Sequence, residues 1–437
     1  MRVATVCPYS LSAPGGVQGQ AIGIVSELQK MGVSADLYAP GGDSGSDRED
    51  REEYSLSGGS LHIFGPALAV PANGSRAPVC LSPRAWVSVA RDIACGGYDI
   101  VHLHEPFAPS PAWLYLARTA CRRSETPAAY GTVATFHRSG SGGLYGSLRP
   151  LWQLLSRAID MACPVSSEAA RTLAGIMGTP WTNWPANGTP GPVAEESNLG
   201  GRYRQTARQT THRRRTPKAG KAGGPRRSEI LFNGIDDRFF ATTDPIWRSA
   251  GQVPVAFAGR HERRKGLELL LRAFRTLHRK CQTGPEPVLW VMGEGPESAR
   301  LRASYGSDPG VTWFGRVTNE ELRSRLRQAC VFCAPSMGGE SFGVVLLEAM
   351  ASRAVVVASD IPGYRDVASG IGQLVAPGDP ADLAEALYTA YCEVVSGTGL
   401  ADPARLDRAQ DKARGYSMSA LTYRYLSLYE QLLVGSV

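Results

Sequence analysis

The chain contains no uninterrupted apolar run near the 18 or so residues that a membrane-spanning helix requires. Met1 to Thr5 also runs into a strand-like RVATVC without the apolar stretch of a secretory leader. These absences argue against a helical integral membrane protein and set the expectation of a cytoplasmic one. Paired cysteines are lacking too: the nine thiols are scattered and odd in number, so no disulfide framework is expected. The one close pair, Cys330 and Cys333, has no second pair and no nearby histidines, and no metal site is expected there.

Acidic residues are missing from one segment. Residues 201–228 carry ten Lys or Arg and no Asp or Glu; with +7 on the whole chain, the rest sits at −3. The basic character is therefore local and gives little reason to expect a nucleic-acid partner. Gly178 to Arg227 also lacks aliphatic periodicity and is rich in Pro, Gly, Thr, Asn, Arg and Lys, which reads as a disordered insertion. A solvated linker and a segment that meets anionic lipid or nucleic acid are both open readings. Gly41 to Glu53, polar and acidic, reads as a surface loop.

What is present is organised around Ala334 to Ala351, APSMGGESFGVVLLEAMA. A strand-like Val331–Phe332–Cys333 turns through Gly338 and Gly339 into an apolar helix, an arrangement that brings backbone amides and a helix N-terminus up to an anion. Glu340 begins that helix on this reading and Glu348 lies inside it, where a carboxylate is costly without a partner. Eight helical residues would hold the two acids roughly 12 Å apart, wider than the 5–9.5 Å of a glycosidase pair. Such spacing suits two parts of one long, hydroxyl-rich ligand.

The remaining chain alternates strand and helix. Gly15 and Gly16 precede a helix from about Gln18 to Met31. YDIVHLH and ATFH read as buried strands; His104 ends the first, with a cleft-facing and a structural role both open, and His137 follows the second, just where ligands collect in open α/β sheets. Leu151 to Met161 reads as a helix. After the insertion, Ser228 is expected to open a second domain, whose first strand, Pro254 to Phe257, ends at Arg260 and Lys265. Two cations at a strand's C-terminal edge suit a diphosphate.

Each half thus reads as a doubly wound parallel sheet. The motifs VCPYSLSAPGGVQ, VHLHEPFAPS, ATFH, LFNGID, GRHERRKG and CAPSMGGESFG, with Glu340 and Glu348 spaced by seven residues, resemble those of family 4 retaining glycosyltransferases of GT-B fold. Within that family the chain is most similar to the bacterial phosphatidylinositol alpha-mannosyltransferases. The resemblance implies an N-terminal acceptor-side domain at 1–177, the basic insertion at 178–227, a nucleotide-sugar domain at 228–415 and a C-terminal helix at 416–437 crossing back.

It also implies the chemistry: metal-independent transfer of a hexose, mannose from GDP-mannose, to phosphatidyl-myo-inositol, with no cofactor and a peripheral position on the inner membrane face. Arg260 and Lys265 would hold the diphosphate beside the Gly15 and Gly16 amides. Glu340 would lie near the sugar with Ser341, Phe342 and Gly343, Glu348 would take the ribose hydroxyls, and Val317 would lie by the base. His137 would contact sugar or acceptor. The stretch PRAWVSVARDI carries only Arg84 and Arg91, where lipid-linked members carry a run of cations. A soluble acceptor, such as an inositol phosphate or an aglycone, shares every donor residue, and a catalytically weak membrane- or nucleic-acid-binding protein is the other alternative.

Overall fold

The computed structural model describes residues 1–12, 15–41, 61–72, 75–122, 131–138, 140, 147–177, 227–240 and 251–434. The acidic loop expected from Gly41 and almost all of the basic insertion lie outside the described residues. The first sheet contains β1 (Arg2–Val6), β2 (Ser34–Gly41), β3 (Leu61–Pro66), β6 (Ile100–His104), β7 (Gly131–Phe136), β8 (Met161–Pro164) and β9 (Arg227–Ser228). Its order is β3-β2-β1-β6-β7-β8-β9, all parallel. A small antiparallel hairpin, β4 (Leu68–Ala72) with β5 (Ser75–Val79), stands apart from it. The second sheet holds β10 (Gln252–Ala258), β11 (Glu286–Met292), β12 (Val311–Gly315), β13 (Val331–Ala334), β14 (Val355–Ser359) and β15 (Gln373–Val375). It runs β12-β11-β10-β13-β14-β15, again all parallel.

The central strands are continuous apolar runs because helices cover both faces. Val331–Ala334 and Val355–Ser359 are buried at every position. In each sheet the order reverses beside the central strand, and the crevice at such a point opens beyond strand C-termini. Strand exits therefore position the candidate site.

Three expectations change. Ser228 does not open the second sheet: Arg227–Ser228 pairs with β8, and Glu229 N–H continues the ladder to the Ala162 carbonyl at 3.0 Å. Among the described residues, the partners of that backbone lie on the first sheet's edge, where Arg227 and Leu231 N–H also donate to the Asp160 and Pro164 carbonyls. The expected helix from Leu151 to Met161 ends at Ser156, and Met161 begins β8 as a buried strand residue. Asp160, just before that strand, accepts the Thr132 N–H at 2.9 Å and ties the turn to β7. Helices at Ala112–Arg122 and Pro403–Arg414 went unread, although the latter has Asp402 capping Ala404 N–H and Pro403 in its first turn.

The chain crosses between the sheets twice, side by side. Ile235 N–H donates to the Tyr416 carbonyl at 2.8 Å and Met418 N–H returns to the Ile235 carbonyl at 2.7 Å. Gln20, on the Gly16–Lys30 helix, clasps the first crossing with two bonds of 2.7 Å, one to the Gly234 carbonyl and one from its N–H. The Met418–Val434 helix then packs on that helix, with Leu421, Tyr425, Leu428 and Tyr429 in the same buried cluster as Ile24, Val25 and Leu28.

Candidate active site

Two loops of the second sheet are laced together. Arg260 follows β10, a single tight turn holds Arg263–Lys265, and Gly266 closes it at φ 70. A Cβ on Gly266 would lie 2.0 Å from the Pro335 carbonyl oxygen, so only glycine permits the approach of the loop that leaves β13. The Met337 N–H donates to the Arg264 carbonyl at 2.7 Å. Glu340 is thereby brought to the cations.

The result is a chain of alternating charge. Arg260 Nε lies 3.2 Å from Glu262 Oε1, Arg264 Nε donates to Glu262 Oε2 at 2.9 Å, and Arg264 reaches Glu340 Oε1 at 2.5 Å. Lys265 Nζ meets the same Glu340 oxygen at 2.8 Å. Glu262 is buried and Glu340 nearly so, whereas Arg260 is about half exposed. The two cations expected to meet a diphosphate are occupied here by carboxylates of the protein itself. Arg264 and Glu262 were missed, and their signal was the alternation Arg260–Glu262–Arg264 inside RHERRK.

Glu340 does not begin the helix. The helix runs Val344–Ala351 behind Gly343 at φ 95, so only the last part of the interval to Glu348 is helical and the 12 Å axial separation does not hold. Ser341 likewise lies ahead of the helix, partly buried. Phe342 turns its ring into the core between Phe232 and Tyr416, at centroid distances of 5.2 and 5.8 Å, which leaves backbone rather than ring for a ligand. Glu348 is partly buried inside the helix; burial pushes its pKa up to about 7, Asp236 adds to the shift and Arg323 opposes it. Val317 follows β12 and packs against the core of the second sheet.

On the first sheet, Gly15 precedes the Gly16–Lys30 helix, and nothing lies within 4 Å of a Cβ built on Gly16. The helix N-terminus there has room for an anion beside it. His137 leaves β7 with 8% of its surface exposed. Its Nε2 lies 3.0 Å from His104 Nδ1, its N–H donates to the Glu105 carboxylate, and Asn233 of the first crossing hydrogen-bonds its ring. Burial lowers its pKa to about 3, so the ring is neutral at neutral pH. Glu105 takes the rare positive φ of 42, and burial raises its pKa to about 7. Cys330 and Cys333 are free, buried thiols.

Two parallel sheets whose strand exits carry cations, carboxylates and a helix N-terminus fit the GT-B class of glycosyltransferases, enzymes that take a nucleotide sugar and an acceptor, and the chain's family matches and relatives establish that class. The descriptions Glycosyltransferase Family 4 and Glycosyl transferases group 1 match residues 14–184 and 253–393. A phosphatidyl-myo-inositol mannosyltransferase of Mycolicibacterium smegmatis is 30% identical over 98% of this chain and 94% of its own. One from Mycobacterium tuberculosis is 31% identical over 98% and 97%. The chain belongs to glycosyltransferase family 4. Among solved structures, a glycosyltransferase from Rickettsia africae superposes with a TM-score of 0.65 at 15% identity, covering 99% of this chain and 98% of that one. Anabaena HepE, in complex with UDP and glucose, gives 0.63 at 14%, covering 99% and 100%. Both share the fold.

Proposed function

We propose that the protein transfers mannose from GDP-mannose to phosphatidyl-myo-inositol at the inner face of the cell membrane, with retention at the anomeric carbon. The carrying observation is the charge chain through Arg260, Glu262, Arg264, Glu340 and Lys265. The carboxylates keep the cations gathered at the strand exits until a donor arrives, and cations already on the phosphates when the diphosphate departs stabilise its charge, the main electrostatic task of the reaction. Donor phosphates would draw Lys265 and Arg260 away from their carboxylate partners, beside the Gly16 amides. Glu340, released from Lys265, would face the sugar, and Glu348 would accept the ribose hydroxyls. The cations take the part a divalent metal plays elsewhere. The near-full-length relatives support phosphatidylinositol as acceptor, and no described helix is long and apolar enough to cross a membrane, as a peripheral position requires.

A soluble inositol phosphate is the second reading. The Pro83–Cys95 helix carries only two cations, Arg84 and Arg91, and a D-inositol 3-phosphate glycosyltransferase of Kribbella flavida is 33% identical over 36% of this chain. The deciding experiment offers GDP-mannose, UDP-glucose and UDP-N-acetylglucosamine to the purified protein, each with and without phosphatidylinositol vesicles. Lipid-dependent release of GDP that drops at least about 100-fold in Lys265→Ala is the expected result. Turnover without lipid moves the acceptor into solution, and no turnover with any donor overturns the reading.

A further inference from the structure

The HLHEP stretch, His102 to Pro106, has residues that donor binding leaves without a task. His104 is 1% exposed, and its ring stacks on His137 with centroids 5.3 Å apart and planes 19° from parallel. On its other side lies His102 at 4.6 Å. His102 is itself held from both nitrogens: Nε2 to Thr135 Oγ1 and Nδ1 to the Tyr429 hydroxyl, each at 2.7 Å. His104 therefore has little freedom to turn. One ring nitrogen of His104 meets His137 Nε2; the other, Nε2, is buried without a hydrogen-bond partner among the described residues.

That orphan atom decides where the protons sit. Burial keeps both rings neutral, so the His104–His137 bond has one donor and one acceptor. If His137 donated, the His104 proton would have to sit on Nε2, and a buried N–H would face nothing. If His104 donates from Nδ1, only a bare lone pair is left at Nε2, the less costly orphan. We propose that His104 is a positioning residue for sugar transfer: its Nδ1–H donates to His137 Nε2 and so fixes His137 as the Nδ1–H tautomer, a hydrogen-bond donor. The backbone of His137 is held independently by Glu105, whose carboxylate takes its N–H from a left-handed backbone that few glutamates adopt. Asn233 meets the ring from the crossing between the sheets. With Nε2 taken by His104, Asn233 meets the ring at Nδ1 and accepts that N–H; an oxygen-rich substrate, a hydroxyl or a phosphate, competes with Asn233 for the same donor, and His137 does not act as a base. This assignment rests on the reading of His137 as a substrate contact, but the proton's position does not depend on which sugar or acceptor is used.

The test begins with long-range ¹H–¹⁵N spectra of the full chain carrying ¹⁵N-labelled histidine, with His137 assigned by its absence from His137→Ala. The wild type shows a protonated Nδ1 and a bare Nε2 on His137; protonation at Nε2 overturns the proposal. His104→Phe keeps the stack and removes the bond. Its turnover falls about tenfold with donor KM unchanged, and the His137 signals become those of mixed tautomers. His104→Asn, whose side-chain amide reaches the place of Nδ1, recovers most of the lost turnover and the single tautomer. Wild-type turnover in His104→Phe overturns the positioning role, and should that variant not fold, the wild-type spectrum still decides the tautomer.

Discussion

Replacing Glu348 with Gln separates stability from nucleotide binding. The folded environment raises the Glu348 pKa from 4.5 to about 7, first through burial and then through Asp236. An acid with a raised folded pKa binds its proton more tightly folded than unfolded, so it contributes most below pH 4.5 and that contribution is lost as pH rises through about 7. The full shift corresponds to about 3 kcal/mol, and water reaching a partly exposed carboxylate reduces this to about 1–3 kcal/mol. Glutamine has no charge to bury. At pH 8, Glu348→Gln should therefore melt about 2–8 °C above the wild type, a gap that closes as the pH is lowered toward 4.5. On the proposed role of Glu348 toward the ribose, GDP affinity should move the other way, because the ribose hydroxyls would lose a charged acceptor worth about 1.5–3 kcal/mol, roughly 10- to 150-fold in Kd. Wild-type GDP affinity should also strengthen as pH rises through 7. Thermal melts across that range and calorimetric titration with GDP at pH 6 and 8 measure both. A variant that melts lower at pH 8, or a gap independent of pH, would refute the argument.

Two further changes probe the frame around the site. Gly266→Ala forces a Cβ onto the Pro335 carbonyl at a positive φ, so it should cost about 3 kcal/mol or more in denaturant unfolding and separate Lys265 from Glu340, with turnover falling alongside. Gln20→Ala removes both bonds to Gly234 and leaves two buried backbone groups unpaired; a loss of about 2–4 kcal/mol is expected, and a melting temperature equal to wild type would show that the crossing is held otherwise.

Much of the fold was legible because parallel sheets write themselves as short apolar runs between amphipathic helices. The strand read at Val331–Phe332–Cys333 is β13 short of one residue, the helix read from about Gln18 to Met31 lies within two residues of Gly16–Lys30, and Pro254 to Phe257 falls inside β10. Elements with weaker signals escaped. The two-residue β9 has no periodicity of its own; only the exposed edge of β8 makes it a strand. Glu340 read as the start of the helix because it directly follows the Gly338–Gly339 turn, yet Gly343 in the left-handed region starts the helix later. Phe342 sits in a ligand-like motif, but burying an aromatic ring among Phe232 and Tyr416 outweighs any contact with solvent or ligand.

The amino-acid order by itself determined the alternation of strand and helix, the family motifs and the residue types gathered at the strand exits, since all of these are local patterns. Tertiary structure alone decided the pairings. Lys265 meets Glu340 across 75 residues because Gly266 admits the Pro335 carbonyl, and His137 meets His104 across 33 because β6 and β7 lie side by side. Charge and proton placement depend on which groups are neighbours and how deeply they are buried, and neither is a property of any one stretch of chain.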